Sequence, residues 1–106
     1  MTTDETRDEL ARMDGWRIYN IGGTKLYLAP GKPDDADCQV DCPHPPTLDA
    51  ANAAVPDGWK WSRSRYSWFG EHDDRVEMIQ VPDTGNPMAD LYALALACRR
   101  AMEDKT

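Results

Sequence analysis

Between residues 30 and 46 the chain carries five prolines, Pro30, Pro33, Pro43, Pro45 and Pro46, with four aspartates, Asp34, Asp35, Asp37 and Asp41, among them. Proline fixes φ and removes the backbone donor, so neither a helix interior nor a central strand tolerates this density. The stretch reads as an irregular loop of the length that carries function. Regular structure is thereby confined to the segments on either side. With 106 residues in all, we expect a single α/β sandwich-like domain over 1–106, with chain enough for one modest core.

Before the loop, Thr2 or Thr3 can cap a helix running to about Met13, with Asp4, Glu5, Asp8 and Glu9 near the positive end of its dipole. Gly15 reads as its stop. From Trp16 to Leu28 the apolar residues Ile18, Tyr19, Ile21, Leu26, Tyr27 and Leu28 flank Gly22-Gly23, a hairpin signal.

After the loop, Thr47 caps a helix over Leu48 to Val55, which Pro56-Asp57-Gly58 ends. Trp59 and Trp61, then Tyr66, Trp68 and Phe69, suggest short strands broken near Ser62-Arg63-Ser64. Glu71-His72-Asp73-Asp74 reads as a turn, and Arg75 to Val81 as a third strand with Val76 and Met78 on one face. Asn86 and Pro87 open a last helix, with Leu91, Leu94, Ala95, Cys98 and Met102 at helical spacing. The order predicts an α+β fold: a small antiparallel sheet, made of a three-stranded meander plus an N-terminal hairpin or strand, with two to three helices packed on it.

The formal net charge of -7 argues against direct nucleic-acid binding, because neutralising phosphates takes Lys and Arg. No apolar run approaches the ~20 residues of a membrane span. The acidic start Met1-Thr2-Thr3-Asp4-Glu5 lacks the pattern of a secretory signal, so a cytoplasmic protein is expected. No nucleophile elbow, phosphate loop or HExxH motif is present, and no enzymatic activity is expected.

Four sets of residues are candidates for function. Cys38, Cys42 and His44, spaced C-x3-C-x-H, offer zinc ligands, with Cys98, His72, Asp37 or Asp41 as a fourth. Without zinc no cofactor is expected, and Cys98 on the apolar face of the last helix suits core packing. Glu71-His72-Asp73-Asp74 offers acid–base or metal chemistry, the basis of an enzyme or nuclease-like alternative, against an ordinary polar turn. The mixed segment Trp59, Lys60, Trp61, Arg63, Arg65, Tyr66, Trp68 and Phe69 divides between core and partner contact, since Trp, Tyr and Arg anchor protein interfaces. Stacking on single-stranded nucleic acid is its third reading. The acids Asp34, Asp35, Asp37, Asp41 and Asp49 form either a solvated loop or a negative patch that docks on a basic groove. An exposed aromatic strand also invites pairing with its own copy, giving a homodimer.

Four stretches together resemble a known family: Gly15-Trp16 after a helix, Pro45-Pro46-Thr47-Leu48-Asp49-Ala50-Ala51, the aromatic meander from Gly58 to Val81, and the alanine-rich segment from Ala89 to Ala101 with its Cys98-Arg99 pair. The chain resembles the small phage proteins described as the phage ABA sandwich domain. It departs from them before the middle helix, where Pro46-Thr47-Leu48-Asp49 stands in place of a Tyr-Ser-Thr-Asp run. The resemblance implies phage or prophage origin and an α/β sandwich, and it supplies no catalytic residues. Joined to the acidic charge, it leads us to expect a non-enzymatic protein acting on a protein partner, with a host defence system such as a CRISPR effector as target class. The host cytoplasm would then be its location.

Overall fold

Five antiparallel strands and three helices make up the α+β architecture of the computed structural model, which describes residues 2–33 and 37–103. They fall into two compact units, Met1–Pro45 and Pro46–Thr106.

In the first unit, α1 spans Thr3–Met13. The Thr2 hydroxyl accepts from the Glu5 N–H at 3.2 Å, and the Glu5 carboxylate accepts in return from the Thr2 N–H, so a capping box satisfies the helix start. Gly15 follows with φ +94°, and a Cβ there would stand 3.2 Å from Pro30 Cβ. Both the left-handed backbone and the close approach favour glycine. β1 (Arg17–Ile21) and β2 (Thr24–Leu28) pair with Arg17 opposite Leu28 and Ile21 opposite Thr24. α1 packs on β1, and Leu10, Ala11, Tyr27 and Leu28 are buried. The proline-rich stretch contributes one regular contact that its composition does not announce. Gln39 exchanges two backbone hydrogen bonds with Tyr27, at 2.8 and 2.9 Å, in the gap between Pro33 and Pro43.

In the second unit, the Thr47 hydroxyl accepts from the Ala50 N–H at 3.1 Å and opens α2 (Leu48–Ala54). β3 (Trp59–Arg63), β4 (Ser67–His72) and β5 (Ile79–Pro82) form a meander in the order β3-β4-β5. α3 (Pro87–Glu103) packs on β4 and β5, and α2 packs on α3. The buried set is Ala51, Ala54, Trp59, Trp68 and the α3 residues Leu91, Tyr92, Leu94, Ala95, Leu96 and Cys98. Tyr92 and Leu96 widen the buried arc of α3 beyond the stripe read from its spacing, while Met102 is exposed.

One strand boundary differs from expectation. β5 begins at Ile79 rather than Arg75, and Val76 and Met78 are exposed instead of facing the core. The Arg75 N–H closes a turn on the His72 carbonyl at 3.0 Å, and its guanidinium donates to the Ala101 carbonyl of α3 at 2.8 Å. The chain at 73–78 follows those bonds rather than the ladder.

Candidate functional site

Successive strand residues alternate faces, so Trp59, Trp61 and Arg63 of β3 share one. The chain reverses at Ser64, whose N–H donates to the Ser67 carbonyl at 2.8 Å, and Trp68 returns directly opposite Arg63 on that same face. Had the segment run on as one strand, Trp68 would have joined Lys60 on the other. The Trp61 and Trp68 ring centroids lie 5.3 Å apart. Trp68 is buried, and its indole N–H donates to Asp90 Oδ2 at 3.2 Å in the first turn of α3. Asp90 also accepts from the Thr84 N–H and hydroxyl, which satisfies this buried carboxylate.

Trp61 is 40% exposed, and its indole N–H donates to Asn52 Oδ1 of α2 at 2.7 Å. The Arg63 guanidinium sits 4.9 Å over the Trp68 ring and donates to Asp83 Oδ2 at 2.8 Å. That hydrogen bond raises the Arg63 pKa and lowers the Asp83 one. Leu48 and Asp49 of α2, with Pro87 and Leu91 of α3, complete a groove of about 400 Å³. Its floor is apolar, its rim carries one acid and one arginine, and its exposed aromatic ring is held in place before anything binds.

The other residues of the aromatic segment are dispersed. Trp59 is a core residue rather than a contact residue: it is 7% exposed, its ring lies 5.3 Å from that of His72, and Arg75 stands over it. Among the described residues its indole nitrogen is buried without a hydrogen-bond partner. Tyr66 is exposed at the hairpin tip with the Arg65 guanidinium over its ring, and neither lines the groove.

His72 caps a turn. Its Nδ1 accepts the Asp74 N–H at 3.1 Å, which leaves the ring proton on Nε2 in the neutral form. The hollow of about 180 Å³ beside it is shared with Asp74, Arg75 and Met102. A second hollow of about 190 Å³ on which His72 also borders brings in Lys60 of β3 and Glu77.

In the first unit, His44 Nε2 lies 3.0 Å from Asp14 Oδ2, and the His44 carbonyl accepts from Arg7 Nε at 2.6 Å. Cys42 is half-buried and hydrogen-bonds the Tyr27 hydroxyl and the His44 backbone; burial pushes its thiol pKa up. Cys38 is half-buried as well, whereas Cys98 is buried in the second unit. Among the described residues no three His, Cys, Asp or Glu side chains are grouped to hold a metal ion. Asp37 and Asp41 are exposed, as is Asp49 in the second unit; Asp34 and Asp35 lie outside the described residues.

Asp8, an acid near the positive end of the α1 dipole by its position in the sequence, has a larger part in the structure. Its carboxylate is buried, accepting from the Tyr27 hydroxyl and the Lys25 ammonium, each at 2.7 Å. Burial works to raise its pKa, but the bonds from Lys25 and Tyr27 outweigh it and the pKa is lowered; Lys25 is raised by the same bond. Burial, then Asp8, raise Tyr27. The network lines an open cleft of about 570 Å³ with Arg7, Asp41 and Cys42. Its charges are met internally, so its evident work is to fasten α1 to β2. The available signal was positional: Asp8 lies one helical turn from buried Ala11.

No protein-family model, curated protein or solved structure matches this chain. No helix among the described residues is long and apolar enough to cross a membrane.

Proposed function

We propose that this chain is a non-enzymatic binding protein that grips another protein through the groove around Trp61. The observation that carries the reading is Trp61 itself, 40% exposed beside an apolar floor and fixed by its bond to Asn52. A pre-positioned aromatic residue loses little freedom on binding and makes an effective anchor. Arg63, held by Asp83 over Trp68, supplies a second anchor of the kind interfaces favour. The exposed acids Asp37 and Asp41 suit a partner with a basic, nucleic-acid-binding surface, and the net charge of -7 would speed its approach. The resemblance to phage ABA sandwich proteins supports a phage or prophage setting in the host cytoplasm, and with it a host defence effector, such as a CRISPR effector, as target.

The test is retention of partners from bacterial lysates at low salt by the wild type and by Trp61→Ala, followed by titration of whichever purified partner is found. Trp61→Ala should weaken binding by about 30-fold, the mark of a hot-spot residue at ~2 kcal/mol. Added salt should weaken the wild-type complex. Equal binding by both proteins, or no partner across several hosts, refutes the reading.

A further inference from the structure

The sheet order leaves β3 and β5 as edges, and the hairpin bonds reveal which backbone groups each edge presents. Ser64 and Ser67 are a hydrogen-bonded pair, and in an antiparallel ladder such pairs recur at every second residue. Ser62 opposite Phe69 and Lys60 opposite Glu71 are therefore bonded pairs, while Trp61 and Arg63 turn their N–H and carbonyl groups away from β4. The Trp59 N–H also points outward, but the Pro56 carbonyl takes it at 3.2 Å.

The far edge differs. The Asp83 N–H donates to the Tyr66 carbonyl at 2.9 Å, so by the same alternation Ile79 and Val81 bond to β4 while Gln80 and Pro82 face out. Pro82 has no N–H to offer and blunts that edge. β3 has no proline, and its Lys60 sits directly across from Glu71.

We propose that a second copy of this chain pairs antiparallel with β3, about a two-fold axis through Ser62. In that register Trp61 stands opposite the partner's Arg63, and Arg63 opposite the partner's Trp61. Each pair exchanges both hydrogen bonds, so all four outward groups are used. On the groove side each indole meets the partner's guanidinium, a favourable cation–aromatic pairing. Ser62 meets the partner's Ser62, and Lys60 meets the partner's Ser64, so no like charges are opposed. The neighbouring registers are poorer. An axis through Trp61 needs the Trp59 N–H that Pro56 already holds, and an axis through Lys60 sets two ammonium groups face to face. The sheet then runs continuously through both copies. The pairing draws on Trp61 and Arg63, which also line the groove, so it is read on this chain alone, without any other protein present.

Sedimentation of the wild type at rising micromolar concentration should show the mass of two 11.9 kDa chains. Arg63→Pro removes an outward N–H while sparing the bonds to β4, and it should sediment as a monomer; Arg63→Ala keeps the N–H and should still dimerise, several-fold more weakly. Ser62→Cys should form a covalent dimer under mild oxidation, because facing residues of a non-bonded pair lie about 4.5 Å apart at Cα, within disulfide reach. Lys60→Cys and the wild type, oxidised alongside, should not. If Arg63→Pro fails to fold, the Ser62→Cys cross-link decides alone. A wild type that stays monomeric, a dimer that survives folded Arg63→Pro, or cross-linking of Ser62→Cys no greater than that of the wild type overturns the proposal. The Ser62→Cys arm separates this proposal from the groove reading, because Ser62 does not line the groove and its cross-link leaves Trp61 and Arg63 unchanged.

Discussion

The sulfur of Cys98 occupies the space a side chain at Gly70 would enter: a Cβ built on Gly70 stands 2.8 Å from Sγ, with Leu94 at 3.4 Å. Glycine is required here by the approach of α3 to β4, not by its backbone angle. Gly70→Ala should cost about 1–3 kcal/mol, the range for overpacking a tight core. Adding Cys98→Ala opens the space, so the double variant should be less destabilised than the sum of the single ones, read from urea midpoints. Strict additivity would show that the two sites do not touch.

The same packing governs thiol chemistry. Cys98 is fully buried and its pKa is pushed up to about 11, first by burial, with Arg75 opposing. In folded protein at pH 8, iodoacetamide should spare Cys98 and modify it only after unfolding, as mass spectrometry of the labelled peptides can read. Labelling of Cys98 as fast in native protein as in urea would contradict this burial.

Acid should loosen the first unit through Asp8. Its folded pKa lies below the ordinary 3.8, so its contribution is complete above that value and is lost as the pH falls through the lowered one. Tyr27→Phe leaves a buried carboxylate oxygen without its donor and should cost about 1–3 kcal/mol at neutral pH. Asp8→Asn should flatten the decline of stability below pH 3.8. A decline as steep as the wild type's would mean that other carboxylates carry it. At the alkaline end Lys25 has a raised pKa, so its contribution holds below the ordinary 10.5 and fades as the pH rises through the folded value.

The two tryptophans of the groove should separate in a stability assay although their rings are 5.3 Å apart. Trp68 is buried and bonded to Asp90, so Trp68→Ala should cost about 3–5 kcal/mol. Trp61 is partly exposed and bonded to exposed Asn52, and Trp61→Ala should cost about 1 kcal/mol. Comparable losses would make Trp61 a structural residue and weaken its role as a contact.

Much of the chain declared itself locally. Thr2, Thr47 and Asn86 cap helices because a side-chain oxygen need reach only the next turn. Gly15, Gly22 and Gly23 adopt positive φ where a turn was expected, and the meander and the final helix follow from patterns a few residues long. Those determinants act within a turn of helix or a single hairpin, so the order of residues was enough to set the α+β class and most element boundaries. The groove and the buried carboxylates depend on partners far along the chain. Asp8 meets Lys25 and Tyr27 across 17 and 19 residues, and Trp68 meets Asp90 across 22. Trp59, Trp61 and Trp68 share one face of the meander, yet they became core, exposed rim and groove floor according to what packs over each. Packing also released Val76 and Met78 to the surface, because Arg75 bonded to α3 instead of joining the ladder. Burial is a property of what arrives from elsewhere in the chain, and that was decided only in the tertiary structure.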